Sequence, residues 1–263
     1  MKLKKRKNII LIISASMLII FFIILPPFFS INPSVGKNHV IIIDPLYLDY
    51  PNQDFIDKAT GYLTEAGFKV DVYKGSTITV QFLKNLPKGY GVVIIRSHSG
   101  LWEEDGEVLQ AITTAEYYDE SLITFPAGKY WNEASDNQLA KMTPWANPEK
   151  AYFCVLPRFV EMSMKGKFQN SIIIAMGCTG LVGQTNLMAK AFVGQGALVY
   201  VGWNDYVRLN DTDAATLELL KAFFIERLTV EQSLDKAMSG IGPDPGYELE
   251  FYPYDKGDLR FES

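Results

Sequence analysis

Histidine and cysteine occur only twice each in this chain of 263 residues, and one of each falls just past the end of an apolar run. "GVVIIRSHSG" at 91–100 delivers His98, and "SIIIAMGCTG" at 171–180 delivers Cys178. A thiol needs a base to become the thiolate nucleophile, and imidazole suits that task near neutral pH. Open parallel sheets form their sites in the crevice outside the carboxyl ends of the strands. If the two runs are neighbouring strands, both side chains face one crevice. Gly100, Gly177 and Gly180 permit tight turns and close approach of a substrate to the backbone. Amides near Gly100 and Cys178 are then placed to meet a developing oxyanion. Simpler roles stand beside this one. A buried cysteine is commonly a small apolar filler, and exported proteins sit in surroundings where Cys154 and Cys178 can form a disulfide. His39 begins a strand and has no partner in view.

The elements that must position the pair are legible on either side. "HVIIIDP" at 39–45 reads as a buried strand closed by Asp-Pro. In "NQDFIDKATGYLTEAGF" the residues Phe55, Ile56, Ala59, Tyr62, Leu63 and Ala66 recur at helical spacing, with Gly67 as the stop. "KVDVYKG" alternates as a strand, "TVQFLKNLPKG" predicts a short helix, and "YGVVIIRSHSG" the next strand. Strand–helix alternation with near-continuous apolar strands is the pattern of a parallel sheet covered on both faces.

Between about 101 and 170 that rhythm stops. "VLQAITTAE" and "AYFCVLPRFVEM" predict strands, the second broken at Pro157, inside a stretch rich in Tyr and Trp and poor in regular period. A long irregular excursion in a compact domain is usually functional or an elaborated edge. The α/β rhythm resumes with the strand "NSIIIAMGC", the helix "NLMAKAFVGQG" and the strand "ALVYVGWNDYV". An amphipathic helix over 211–228 follows, with Thr212 or Asp211 as N-cap, then a helix capped by Thr229. The turn-rich remainder reads as a surface tail with a strand at 247–251.

The N-terminus predicts a membrane anchor. Lys2, Lys4, Lys5, Arg6 and Lys7 form a basic segment, 1–7, ahead of an uncharged apolar stretch, 8–30. That stretch is long enough to cross a hydrocarbon core of about 30 Å, and the charge bias predicts a single-pass protein with its domain, 31–263, outside the cell. A cleaved signal peptide, giving a secreted domain, is the rival; its apolar core would be about 7–15 residues. Beyond the basic segment 20 Lys and Arg face 30 Asp and Glu, a net charge of about −10. No basic stripe appears, so nucleic acid is excluded as a partner. No cluster has zinc-ligand spacing and no phosphate-binding glycine motif is present, so no metal or cofactor is expected.

The strand ending at His98 and the strand ending in Cys178-Thr179-Gly180 resemble the caspase-type cysteine peptidases of the caspase, gingipain and clostripain group. About 70 residues of the C-terminal half are similar in order to the end of CHAT and gingipain-like domains. They run through Cys178-Thr179-Gly180, Phe192 to Gly196-Ala197, Gly202-Trp203 and Asp213-Ala214-Ala215-Thr216. The N-terminal half matches only in its sheet rhythm and His98. The resemblance implies a caspase-like three-layer α/β sandwich with a mostly parallel central sheet and helices on both faces. It implies His98 as general base, Cys178 as nucleophile, and Trp203 lining the pocket for the residue before the cleaved bond. Asp205 is then the nearest acid to favour a basic side chain there. One departure stands out: the family has Gly directly after the His, whereas this chain has His98-Ser99-Gly100.

These readings converge on a membrane-anchored, outward-facing cysteine endopeptidase acting on a protein or peptide. The alternative is a catalytically silent domain of the same shape that binds a protein or peptide through aromatic anchors at Tyr117, Tyr118, Tyr130, Trp131 and Trp145. A sheet-based hydrolase of another kind lacks the G-x-S-x-G elbow it would need.

Overall fold

The alternating apolar residues of three short strands decide the architecture. The structure, a computed structural model, describes residues 38–261 apart from 105, 145–147, 183–185 and 243–244. It begins with β1 (His39–Asp44), α1 (Gln53–Glu65), β2 (Lys69–Lys74), α2 (Val80–Lys84) and β3 (Val92–Ile95). A second group follows, made of β4 (Ser99–Glu104), β5 (Glu107–Tyr117), α3 (Trp131–Ser135), β6 (Leu139–Met142), β7 (Tyr152–Val155) and α4 (Pro157–Met162). The chain then returns through β8 (Ile172–Ala175), α5 (Leu187–Gly194), β9 (Val199–Trp203), α6 (Leu209–Leu220), α7 (Val230–Ser239) and β10 (Leu249–Tyr252).

The class is α/β. A six-stranded mixed sheet runs in the order β2-β1-β3-β8-β9-β10, parallel except for β10, which is antiparallel to β9. Successive side chains of a strand point to opposite faces, and the two cores divide accordingly. Val40, Ile42, Val92, Ile94 and Ile174 pack with Phe55 and Leu63 of α1, Leu219 of α6 and Leu234 of α7. Ile41, Ile43, Val93, Ile95 and Ile173 pack the other way, with Phe159 of α4, Phe192 of α5 and Phe153 of β7. Burying one such Ile or Phe contributes about 1.5–3 kcal/mol.

The excursion after residue 100 is more regular than its composition predicts. It is a four-stranded antiparallel sheet in the order β4-β5-β7-β6. Its outer strands, "SGLWEE" and "LAKM", lack the β-branched run that marks a strand in sequence. Pro157 does end a strand, and it also opens α4, where its missing N–H is no loss. Neither Asp211 nor Thr212 caps α6: the cap position is Arg208, and the Thr212 hydroxyl is engaged elsewhere. Thr229 caps α7 in a capping box with Gln232. The C-terminal stretch is less of a surface tail than expected, since Tyr247 and Leu249 are buried and β10 closes the sheet.

One alternative falls away and one expectation is corrected. Cys154 and Cys178 are both free thiols, and Cys154 is wholly buried in β7. No helix among the described residues is long and apolar enough to cross a membrane. The longest helical run, α6 with its π-helical extension Lys221–Ile225, carries Asp211, Asp213, Glu218 and Lys221. The expected membrane anchor, the contact with a membrane and the single-pass, outward-facing location are corrected on that finding. The segment 8–30 on which they rest lies outside the described residues, as does Trp145.

Candidate active site

β3 and β8 are direct neighbours, with Ile95 opposite Ala175. His98 and Cys178 each stand three residues beyond that pair, so the parallel register sets them at equal offsets past the carboxyl edge. The two loops touch directly, side chain to backbone. The Ser99 hydroxyl donates to the Cys178 carbonyl at 2.5 Å, and the Thr179 hydroxyl donates to the same oxygen at 2.7 Å. The Gln110 amide, reaching from β5, stands 3.5 Å from it. This approach requires Gly177, because a Cβ there would overlap the Ser99 hydroxyl and the Ser97 carbonyl.

The Cys178 loop is also strapped to the end of β9. The Thr179 amide donates to the Asp205 carbonyl at 3.0 Å, and the Leu181 amide donates to the Trp203 carbonyl at 2.8 Å. Thr179 pays for that course with a φ of 58°, a left-handed conformation rare for a β-branched residue. The Cys178 thiol is partly buried and hydrogen-bonded to the Val207 carbonyl at 3.7 Å. Burial pushes its pKa up; the backbone of Val207 and its own amide pull the other way, and the Asp205 charge adds to the rise. At rest the group is a neutral thiol.

His98 is held by its carbonyl, which accepts from the Thr113 amide at 2.9 Å and the Thr113 hydroxyl at 2.8 Å. Its ring meets Tyr50 edge-on, with centroids 5.7 Å apart, and its Nε2 is buried with no hydrogen-bond partner. Burial lowers the His98 pKa, Asp49 opposes that shift and Arg96 reinforces it. Asp49 is fixed by the Tyr152 hydroxyl at 2.5 Å and the Lys150 ammonium at 3.0 Å. Burial raises its pKa, but those two bonds and the charges of Lys150 and His98 outweigh it, so Asp49 stays ionised. The imidazole is therefore neutral near pH 7, next to a fixed carboxylate. No hydrogen bond joins it to Cys178 in this state.

Beneath His98 lies a buried charge cluster. The Arg96 guanidinium donates to both oxygens of Asp213, at 2.8 and 2.9 Å, to both oxygens of Asp44, at 3.2 and 3.3 Å, and to the Tyr50 carbonyl at 3.1 Å. Asn52, the N-cap of α1, donates to Asp213 at 2.8 Å. Two carboxylates share one cation, and burial pushes the Asp44 pKa up to about 6 in spite of Arg96.

Other expected site residues fall differently. Trp203 is fully buried, with its indole N–H donating to the Thr212 hydroxyl at 2.9 Å, so it is core beneath the site rather than an open pocket wall. Asp205 is exposed, and its carboxylate accepts from the Tyr206 amide at 2.6 Å, as in a turn. Gly100 lies inside β4 opposite Ala111. Because Thr113 bonds to His98, the alternation of an antiparallel ladder commits the Gly100 amide to β5 and turns the Ser99 amide outwards. The outward amide is thus that of the residue directly after the histidine, one before Gly100. Ser99, Gln110, Asp49 and Arg96 escape sequence reading as site residues because each acts across at least 46 positions. His39 starts β1, away from this edge. Among the described residues no group of three or more His, Cys, Asp or Glu is placed to hold a metal ion.

Neither a protein-family model nor a curated protein matches the chain.

Proposed function

We propose that this domain is a caspase-like cysteine endopeptidase in which Cys178 attacks the peptide carbonyl and His98 handles the proton. The observation that carries the reading is the equal offset of the two residues past Ile95 and Ala175 on adjacent parallel strands. A neutral imidazole with a buried, unpartnered nitrogen is ready to accept a proton, and a neutral thiol has one to give. On attack the thiol leaves the Val207 carbonyl, its proton passes to His98, and the new C–S bond pushes electrons onto the carbonyl oxygen. The outward amide of Ser99 and that of Cys178 serve as donors to this oxyanion. His98 then protonates the departing amine, leaving a thioester. Water attacks the thioester with His98 as base, releasing the acid and restoring the thiol. The exposed carboxylate of Asp205, close enough to act on the thiol, favours a basic side chain before the cleaved bond.

A silent domain that binds a protein or peptide is the second reading. The bond from Cys178 to Val207, in place of one to His98, favours it.

The test is the rate of Cys178 alkylation by iodoacetamide at pH 7–8, with and without His98→Ala, beside cleavage of fluorogenic peptides ending in Lys or Arg. The peptidase predicts about a tenfold slower alkylation without His98, a modest share of what general bases contribute, and hydrolysis that Cys178→Ala abolishes. Alkylation indifferent to His98, with no hydrolysis, leaves the binding domain.

A further inference from the structure

The two loops are matched a second time, one step below the reactive side chains. Arg96 precedes His98 by two residues and Met176 precedes Cys178 by two. Both are held by consecutive residues of a single helical turn. Asp213 takes the Arg96 guanidinium in a two-pronged pair at 2.8 and 2.9 Å. Its neighbour Thr212 donates to the Met176 carbonyl at 2.7 Å and accepts from the Trp203 indole at 2.9 Å. Arg96, Thr212, Asp213 and Trp203 are all buried. We propose that the N-terminal part of α6 positions both halves of the dyad, Asp213 through Arg96 and Thr212 through Met176. This rests on the peptidase reading given above.

The physical case is one of restricted freedom. A guanidinium bound through two parallel bonds has its orientation fixed as well as its distance. A buried hydroxyl that both donates and accepts is fixed likewise, because breaking either bond leaves a buried polar group unpaired. Arg96 is anchored on its far side by Asp44, on the neighbouring strand β1, so the turn cannot pull it out of line. With Arg96 and Met176 bound to adjacent residues of α6, the ends of β3 and β8 are held at one separation, and with them His98 and Cys178. Neither Thr212 nor Asp213 takes part in the chemistry; they are positioning residues.

The experiment is a double-mutant cycle on the full-length protein, reading how strongly the alkylation of Cys178 by iodoacetamide depends on His98. The His98→Ala effect is measured in the wild type, in Thr212→Val, which keeps the shape and removes the hydroxyl, and in Thr212→Ser, which restores it. Circular dichroism checks that each variant is folded. The expected result is a His98 effect of about tenfold in the wild type and in Thr212→Ser, falling below twofold in Thr212→Val. A folded Thr212→Val that keeps the tenfold dependence overturns the proposal. A wild type with no His98 dependence removes the dyad itself, which is a separate failure of the underlying reading. Should Thr212→Val not fold, Asp213→Asn, which leaves Asp44 on Arg96, is judged by the same criterion.

Discussion

The Ser99 hydroxyl donates to the Cys178 carbonyl at 2.5 Å and so ties the histidine loop to the cysteine loop across 79 positions of sequence. Ser99 stands where the caspase-type pattern has glycine. Its hydroxyl gives that side chain a use.

Removing that tie should be felt at the thiol. Ser99→Ala and Ser99→Gly should both reduce the His98 dependence of Cys178 alkylation, and both should lower stability by about 0.5–1.5 kcal/mol, the usual worth of one internal hydrogen bond. Chemical denaturation and alkylation kinetics read the two effects. A Ser99→Gly variant that reacts faster than the wild type would mean that the serine obstructs the site.

Asp49 holds the His98 pKa up against burial. Asp49→Asn removes that charge, so the His98 titration should move to lower pH, and the acid limb of any pH–rate profile with it. Proton NMR can follow this directly, because His39 supplies the only other imidazole signals. An unmoved titration would show that Asp49 does not act on the ring.

Asp44 gives stability an unusual pH dependence. Its carboxyl binds a proton more tightly in the folded state, where its pKa is about 6, than in the unfolded chain, near 3.8. Its contribution is thus present below pH 4, declines as the pH rises through 6, and is constant above that. Unfolding free energies at pH 4, 5, 6 and 7 should show the wild type losing more stability than Asp44→Asn over this window. Parallel curves would refute the shift.

Trp203→Phe keeps most of the ring volume and deletes the bond to Thr212. It should cost about 1–3 kcal/mol for the buried hydroxyl that loses its donor, against about 3–5 kcal/mol for Trp203→Ala. Denaturant unfolding distinguishes them.

Thiol counting offers a direct check on the cysteines. Native protein should expose one titratable thiol, Cys178, and denatured protein two, since Cys154 is wholly buried and its pKa is raised by that burial. No free thiol before reduction would restore the disulfide.

The main sheet was legible because its strands announce themselves: "VIII", "VVII" and "IIIA" are apolar on both faces, and each ends at small or polar residues. Their adjacency could be proposed from strand rhythm, and with it the meeting of the His98 and Cys178 loops. Of the second sheet only the inner strands β5 and β7 were legible, because β4 and β6 draw their stability from pairing and from the cluster around Cys154 and Leu156 rather than from a local pattern. Trp203 illustrates a different limit. A sequence shows that an aromatic residue ends a strand; only tertiary placement shows that Thr212 lies above it and that the ring is sealed. Arg96 is similar, since its partners come from β1 and α6, 52 and 117 positions away.

The pairing of Ile95 with Ala175 also bears on how such a domain can diverge. The offsets of His98 and Cys178 are counted from that rung, three residues along each strand. The exposed stretch 124–127 bonds to neither loop, and lengthening a loop costs entropy only slowly. Insertions and deletions there can accumulate, altering the outline of the molecule, while the distance across the crevice is inherited unchanged.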